Sequence, residues 1–196
     1  MHEFEPYRPA GPGDEAELVR RNPFALVVSG GEPPVATHTP VILPGPALDG
    51  ATLLGHMARA NPHWRAFGRE LLVVFSGPHG YVSPTAYGYN PAVPTWNYAA
   101  VHVTGPVEVI TDRDETLDVV EKTVLAAEAP RDPAWDPTSS REQFRAIVDG
   151  VVAFRVHVRE VRSNFKFSQD KPEDVRARVR EDQRAHGDGA AADFIS

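Results

Sequence analysis

Residues 71–107 contain no Asp, Glu, Lys or Arg, although charged residues make up 24% of the chain. Such a stretch is long enough to cross a membrane as a helix. Proline and glycine recur throughout it, however, and proline breaks a helix because it removes a hydrogen bond and clashes with the preceding turn. We therefore expect no membrane span. We interpret the stretch as strands joined by loops that carry Pro78, Pro84, Pro91, Pro94 and Pro106.

The same stretch is rich in aromatic side chains, namely Phe75, Tyr81, Tyr87, Tyr89, Trp96 and Tyr98. Two interpretations of these aromatic side chains stay open. It is either an uncharged sheet core with proline-rich loops, or a surface that a cofactor or a second subunit buries. The second interpretation predicts a homodimer in which Trp96 and Tyr98 lie in the subunit interface.

Hydrophobic periodicity predicts short strands in the first half of the chain and helices inserted late. The predicted strands cover residues 24–29, 35–43, 52–57, 71–75, 99–110 and 151–161. The predicted helices cover 14–21, 63–67, 114–128, 139–150 and 171–186, and the tail 187–196 is expected to be disordered. This order favours one domain over residues 1–186, a mainly β fold built as a small antiparallel Greek-key type barrel with peripheral helices.

Composition and missing motifs exclude several functional classes. The chain has no cysteine, so disulfides, thiolate zinc sites and cysteine nucleophiles are excluded. Its net charge of -7 argues against a nucleic-acid surface. No Gly-rich dinucleotide, P-loop, G-x-S-x-G or H-E-x-x-H pattern occurs. Its histidines lack helical metal-ligand spacing, so we expect no metal site. The N-terminal residues do not form a targeting signal, so we expect a cytoplasmic protein.

The strongest local candidate site is GHMARANPHW at residues 55–64. A strand that turns directly into a helix start exposes backbone N–H groups, and Arg59 adds a planar cation beside them. His56, Arg59 and Asn61 would together favour a phosphate or carboxylate. The competing interpretation is an Asn-Pro helix cap with a surface arginine, and the residues alone leave both open.

Four blocks of sequence then resemble a known family. They are GHMARANPHW (55–64), VVFSGPHGYVSP (73–84), VPTWNYAAVHVTGPVEV (93–109) and KFSQDK (166–171). In this order they closely resemble the PaiB family of FMN-binding negative transcriptional regulators, over about residues 7–180. The resemblance implies the FMN-binding split β-barrel of the pyridoxamine-phosphate oxidase-like proteins, with FMN as cofactor at the interface of a homodimer.

The resemblance also implies which residues contact the flavin. The phosphate would lie at His56, Met57, Arg59 and Asn61. The ring would lie against Thr37, His38 and Thr39 of one subunit and against Trp96 and Asn97 of the other. Lys166, Gln169 and Lys171 of the last block are further cofactor-binding candidates. Here the chain departs from the family pattern, because Asp170 replaces an asparagine and an upstream lysine is missing, which weakens the local positive potential.

Three functions are compatible with this sequence. The first is a PaiB-type regulator. The second is an FMN-dependent oxidoreductase, such as a flavin reductase or a pyridoxamine-phosphate oxidase-like enzyme, for which no acid or base can be named. The third is a haem-binding or haem-degrading relative with a histidine ligand. The family label implies DNA contact, but no recognition helix is evident and acidic residues balance the basic residues of helix 171–186.

Overall fold

The computed structural model describes residues 1, 3–11 and 13–195. Its strands are β1 (Phe24–Ser29), β2 (Val35–Ile42), β3 (Thr52–Ala58), β4 (Glu70–Val82), β5 (Thr95–Ile110), β6 (Val151–His157) and β7 (Glu160–Lys166). Its α-helices are α1 (Asp14–Arg21), α2 (Pro84–Tyr87), α3 (Arg113–Glu128), α4 (Arg141–Ile147), α5 (Glu173–Ala185) and α6 (Gly189–Ala192). Short 3-10 segments cover Glu5–Tyr7, Pro62–Ala66, Pro137–Ser140 and Val148–Gly150. Within the described residues, no helix has the length and apolar character that crossing a membrane requires.

The strands pair in the order β4-β1-β2-β3-β6-β5-β7, and β4 also pairs with β5. Six strands therefore close a cycle of hydrogen-bonded neighbours, with β7 added beside β5. The β1–β2, β1–β4, β2–β3, β3–β6 and β5–β6 pairs are antiparallel. This topology confirms the predicted antiparallel barrel with peripheral helices.

The chain divides into two compact units, and β4 and β5 each pass from one unit into the other. We call them the central unit, Val19–Phe75 with His102–Val161, and the terminal unit, Met1–Leu18 with Ser76–Val101 and Arg162–Ser196. The predicted single domain over residues 1–186 stays a prediction.

The core of the central unit follows the two-residue alternation of its strands. On β3, Leu53, Gly55 and Met57 are buried while the intervening side chains are partly exposed. Gly55 lies directly against a phenyl ring, since a Cβ atom there would come within 2.4 Å of Phe154 Cζ. The other sheet face is covered by α3, where Val119 packs with Leu54, Ile110 and Ala153.

The terminal unit packs its helices through apolar residues at helical spacing. Val175 and Val179 of α5 are buried, four residues apart on one face. The Phe167 and Phe194 rings stack with centroids 4.8 Å apart. Leu18 packs on Gly77, where an added Cβ would lie 2.9 Å from Leu18 Cδ1.

Most predicted elements are present, but the predicted strand 151–161 is two strands. β6 ends at His157, and β7 begins at Glu160. Between them, the amides of Val158 and Arg159 donate to Ala51 O (2.9 Å) and Thr104 O (3.0 Å). The alternating sequence pattern runs through this corner unchanged, so it could not show the break.

Three further elements differ from the sequence prediction. β4 extends from the predicted 71–75 to Val82, because burial of alternate positions resumes at Gly80 and Val82 beyond Gly77-Pro78. The predicted helix at 63–67 is the 3-10 segment Pro62–Ala66. In the tail predicted to be disordered, α6 forms and buries Ala191, Ala192 and Ile195. Ser196 lies outside the described residues.

Candidate functional site

In the central unit, residues 55–64 were predicted to bind a phosphate or carboxylate, with a helix cap as the competing interpretation. The structure contains both a helix cap and an arginine whose guanidinium is held by hydrogen bonds. Asn61 Oδ1 accepts a hydrogen bond from the His63 backbone N–H (3.0 Å), which caps the 3-10 segment. The Arg59 guanidinium donates through Nε to Asp149 O (2.6 Å) and through a terminal nitrogen to Val151 O (2.8 Å). Three of its five N–H groups then have no partner among the described residues.

Behind this cap lies a buried polar chain that links β1, β2 and the 3-10 segment. Ser29 Oγ is 3.0 Å from His63 Nε2, and Thr37 Oγ1 is 2.9 Å from His63 Nδ1. Thr37 Oγ1 also accepts a hydrogen bond from Asn61 Nδ2 (3.2 Å). Burial lowers the pKa of His63, so the imidazole is neutral at pH 7. The chain therefore fixes Thr37 and Asn61, two of the predicted flavin contacts, from within the core.

His56 lies on the opposite face of β3 from the buried Met57. Its Nδ1 is buried and has no hydrogen-bond partner among the described residues. Burial lowers the pKa of His56, which keeps the ring neutral. A buried ring nitrogen without a partner is costly, so this atom is suited to a ligand or a water molecule.

The remaining predicted contacts of the central unit differ in accessibility. Met57 is 4% exposed and its side chain belongs to the core. Thr39 is buried, and its hydroxyl donates to His56 O. His38 is exposed and stacks on the exposed Phe24, with ring centroids 5.7 Å apart. Of these three residues, only His38 presents its side chain to a ligand outside the sheet.

In the terminal unit, Trp96 and Asn97 are neighbours that face opposite sides of β5. Trp96 is 54% exposed, and its ring lies near those of His79 (6.1 Å) and Tyr81 (5.9 Å). Asn97 is fully buried, and its Oδ1 accepts a hydrogen bond from Ser168 Oγ (3.1 Å). The Asn97 side chain therefore stabilises its own unit, whereas Trp96 is available on the surface.

The end of β7 and the turn that follows it carry the other three predicted cofactor contacts, Lys166, Gln169 and Lys171. Gln169 is used within the turn, since its Oε1 accepts from Phe167 N (2.6 Å) and its Nε2 donates to Phe165 O (2.5 Å). Lys166 donates to Thr95 Oγ1 and lies 5.6 Å from the centroid of the Tyr7 ring. Lys171 pairs with Asp170 (3.0 Å) and lies 5.6 Å from the Tyr87 centroid.

Sequence reasoning missed the partners that these residues acquire through the fold. Ser29 ends an apolar strand and Thr95 begins one, so neither stands in a recognisable motif. Tyr7 lies far in sequence from Lys166 and Lys171. The burial alternation of β1, which places Ser29 on the core face, is the one sequence signal that could have selected it. Within the described residues, no group of three His, Asp or Glu could hold a metal ion.

Comparison with protein families identifies the chain. Residues 1–160 match the model of the family described as "Putative FMN-binding domain". The chain belongs to this FMN-binding family. It is 34% identical over 161 residues to the Protease synthase and sporulation protein PAI 2 of Bacillus subtilis, covering 80% of this chain and 76% of that protein. It is also 26% identical over 200 residues to an uncharacterized protein of Emericella nidulans, covering 79% and 78%.

Solved structures share the fold of this FMN-binding family member. A conserved hypothetical protein of Mycobacterium tuberculosis matches with a TM-score of 0.62 at 10% identity, covering 88% of this chain and 95% of that one. The FAD and heme binding protein of Mycobacterium smegmatis matches with a TM-score of 0.57 at 18% identity, covering 83% and 75%. The chain therefore has the FMN-binding split-barrel fold, and FMN is its cofactor.

The chemistry of the central unit fits the cofactor of this FMN-binding family. A flavin mononucleotide needs donors for its phosphate, and Arg59 keeps three N–H groups without a protein partner. The Asp149 carboxylate near Arg59 is itself paired with Arg113 (3.0 Å), which offsets its repulsion of an anion. His56 Nδ1 supplies a buried polar atom that has no partner within the described part of the chain.

Proposed function

We propose that the chain binds the FMN phosphate at the Arg59 turn of the central unit. The observation that carries this proposal is the state of the Arg59 guanidinium, which two carbonyl groups hold in place while most of its N–H groups stay unused. A cation fixed in advance loses little conformational entropy when it binds an anion. Asn61, fixed by Thr37 and His63, shapes the same turn.

The flavin ring would extend from this turn along β2 and β3. His56 Nδ1 offers a hydrogen bond from a neutral ring, and His38 with Phe24 offers an exposed aromatic surface. FMN supplies hydride and electron transfer when it is bound. The protein's own contribution would be to hold the phosphate and to orient the ring.

The decisive experiment compares FMN and riboflavin binding by flavin fluorescence in wild type, Arg59→Ala and Arg131→Ala. Arg131 is a matched control, because it is exposed and pairs only with Glu128 among the described residues. We expect Arg59→Ala to weaken FMN by about 1.5 to 3 kcal/mol, the range for a hydrogen bond to a charged group. Riboflavin, which lacks the phosphate, should bind both variants equally. Equal FMN affinity in wild type and Arg59→Ala would refute the site.

We further propose that the protein is a homodimer. In the central unit, Leu26 with Val74 and Val28 with Leu72 form cross-strand pairs that are only half-buried on the outer face of the sheet. In the terminal unit, Trp96 and Tyr81 are exposed and lie in ring contact. Apolar and aromatic faces of this kind are typical of subunit interfaces.

Light scattering at micromolar concentration tests the dimer directly. We expect twice the chain mass for wild type and a shift toward monomer for Leu72→Glu. Leu125→Glu serves as the control, because Leu125 is exposed on α3, away from that sheet face. A monomeric wild type, or an identical effect of both substitutions, would contradict the proposal.

The charge distribution of α5 is more compatible with redox chemistry of the bound FMN or with contact to a protein partner than with direct recognition of DNA. The basic residues of α5 are paired, since Arg176 and Arg180 contact Glu173 and Arg178 contacts Asp174 (3.1 Å). Arg184 pairs with Asp193 (2.8 Å). Arginines that already have carboxylate partners release few counterions from DNA. We expect weak DNA binding without sequence preference, and nanomolar specific binding at physiological salt would contradict this expectation.

A further inference from the structure

Two of the three lysines of the chain lie within one cluster of tyrosines in the terminal unit. The cluster consists of Tyr7, Tyr87, Tyr98, Lys166 and Lys171, and we call it the lysine–tyrosine cluster. The residues come from four separate segments of the chain, so the fold and not a local motif brings them together. The third lysine, Lys122, pairs with Asp118 (2.6 Å) on α3 of the central unit.

The backbone that carries both lysines is held rigidly. Gln169 makes two hydrogen bonds within the turn, and the Lys171 backbone N–H donates to Ser168 O (2.9 Å). Ser168 adopts a left-handed conformation with φ of 60°, and its hydroxyl donates to Asn97. A turn held by so many bonds presents its two lysine side chains from fixed positions.

Lys166 has no counter-ion in the part of the chain that the structure describes. Its ammonium donates to the Thr95 hydroxyl and lies over the Tyr7 ring, and it has no carboxylate partner among the described residues. An ammonium carries three donors, so two remain. Taking a cation partly out of water without a neutralising charge costs free energy. An anion bound beside Lys166 would recover that cost.

Phenol groups around the lysines can donate hydrogen bonds. Burial, above all, raises the pKa of both Tyr7 and Tyr87, so both phenols keep their protons at neutral pH. The Tyr98 oxygen accepts a hydrogen bond from Asn164 Nδ2 (2.6 Å), which leaves its own O–H free to donate elsewhere. The charge of Lys171 lowers the pKa of Tyr7 and Tyr87 against this trend, and its Nζ lies 5.6 Å from the centroid of the Tyr87 ring.

Acidic side chains near the cluster limit what the site can hold, and Glu3 and Glu15 are used by Ser163 of β7. Asp170 pairs with Lys171 at 3.0 Å, and both side chains are partly exposed. This pair is solvated, so it reduces the positive potential without removing it. Among the described residues, Lys171 pairs with Asp170 while Lys166 has no carboxylate partner, and phenol donors lie beside both lysines.

We propose that the lysine–tyrosine cluster binds the anionic group of a small molecule, a phosphate or a carboxylate, separately from the FMN phosphate. Lys166 and Lys171 supply the positive charge, and Tyr98 supplies a directed hydrogen bond. The site belongs to the terminal unit, whereas the Arg59 turn belongs to the central unit. The proposal stands whether or not Arg59 holds FMN.

Lysine footprinting on the wild-type protein tests the site with an internal reference. The protein is acetylated briefly with an amine-reactive ester, and modification of each lysine is quantified by mass spectrometry. The probes are inorganic phosphate and succinate, with sodium chloride at matched ionic strength, and parallel samples contain FMN or riboflavin. We expect at least one probe to slow modification of Lys166 and Lys171 threefold or more while Lys122 is unchanged. Protection by one probe alone distinguishes phosphate from carboxylate recognition.

Two results would overturn the proposal. Equal modification of all three lysines with and without both probes would show that the cluster binds no small anion. Protection of Lys166 and Lys171 by FMN, but not by riboflavin, would show that the cluster holds the flavin phosphate itself. The Arg59 site is tested independently, because it is refuted only if Arg59→Ala binds FMN as wild type does. The two proposals can therefore fail separately.

A variant series measures the contribution of each group by calorimetry with the protecting probe. We expect Lys166→Gln to reduce affinity at least tenfold and Tyr98→Phe to reduce it several-fold, while Lys122→Gln leaves it unchanged. Circular dichroism establishes that each variant is folded. If folded Lys166→Gln binds the probe as wild type does, the assignment of Lys166 is wrong.

Discussion

The two units of the molecule treat their buried polar groups differently. In the central unit, the chain from Ser29 through His63 to Thr37 and Asn61 satisfies each interior group, and His56 Nδ1 is the one buried side-chain atom without a partner in the described part. In the terminal unit, five such atoms are recorded among the described residues, on Asn97, Asn164, Arg176 and both ends of the Gln183 amide.

The difference indicates which parts of the molecule are complete as a single chain. A buried polar group without a partner costs about 1 to 3 kcal/mol, so proteins rarely keep several unless water, a ligand or another subunit satisfies them. Among its described residues, the central unit satisfies its buried side-chain nitrogen and oxygen atoms except His56 Nδ1, and it holds Arg59 in place through two carbonyl groups. The terminal unit has polar groups without partners among the described residues, so we expect water, a ligand or a second subunit to complete its hydrogen bonds.

The largest expected effect concerns Gly105 of the central unit, where no room exists for a side chain. A Cβ atom at Gly105 would lie 1.8 Å from His157 O, which is a backbone atom that cannot rotate away. We expect Gly105→Ala to reduce the free energy of unfolding by about 3 kcal/mol or more. In the terminal unit, a Cβ at Gly80 would lie 2.7 Å from Gln183 Nε2 and 2.9 Å from Asp188 Cβ and Oδ2, which are side-chain atoms at longer distances than the His157 backbone oxygen is from Gly105.

Urea denaturation of both variants measures this contrast. Gly80→Ala should cost clearly less than Gly105→Ala. Gly150→Ala is the control, because nothing lies within 4 Å of its added Cβ atom. If Gly80→Ala lowered the free energy of unfolding as much as Gly105→Ala, the packing around Gly80 would be as rigid as the packing around Gly105.

The next effect concerns the buried polar chain of the central unit. Ser29→Ala removes the partner of His63 Nε2 and leaves a buried nitrogen unsatisfied. We expect a loss of about 1 to 3 kcal/mol in unfolding free energy. FMN affinity should fall as well, because His63 and Thr37 fix Asn61. Chemical denaturation and flavin titration on the same variant separate the two effects, and an unchanged stability would show that water replaces the hydroxyl.

Acid should weaken the central unit first. Burial lowers the folded-state pKa of His56, His63 and His102, all of which lie in that unit. A lowered folded pKa means that the unfolded state binds the proton more readily. Unfolding free energy is therefore fully retained above the unfolded histidine pKa of about 6.5 and falls as the pH drops below it.

Hydrogen exchange at pH 7 and pH 5, corrected for intrinsic rates, checks this prediction. We expect opening free energies to fall in β2 and β3 and to change less in α5. His63→Gln should flatten the dependence for β2. Equal losses in both units would show that acid acts on the whole molecule through other groups.

The smallest expected effect concerns Gln183 of the terminal unit. Its amide is buried and neither end has a hydrogen-bond partner in the described part, so replacing it with an apolar side chain of similar size removes a cost. We expect Gln183→Met to be neutral or to stabilise the protein by up to about 1 kcal/mol. Thermal unfolding measures the change, and a clear destabilisation would show that ordered water or a ligand satisfies the amide.

Sequence reasoning recovered the framework better than the site. The helix at residues 14–21 and the strand at residues 24–29 were predicted with the observed bounds, because local capping and alternation determine them. The corner between β6 and β7 could not be predicted, because the bonds from Val158 and Arg159 reach residues distant in sequence. Asn61 was identified as a cap from its place before Pro62. The neighbours of Lys166 were not foreseen, because Tyr7 lies 159 positions away.

The terminal unit is assembled from three stretches of chain, and this arrangement has a consequence for biosynthesis. Ser163 contacts Glu3 and Glu15, which are translated about 150 residues earlier. On a ribosome, the first stretch emerges well before its partners exist, and closing so long a loop carries a large entropic cost. The contacts of Glu3 and Glu15 with Ser163 therefore form only after β7 has emerged. Completion of this unit is expected to be a late event after translation of the C-terminal stretch.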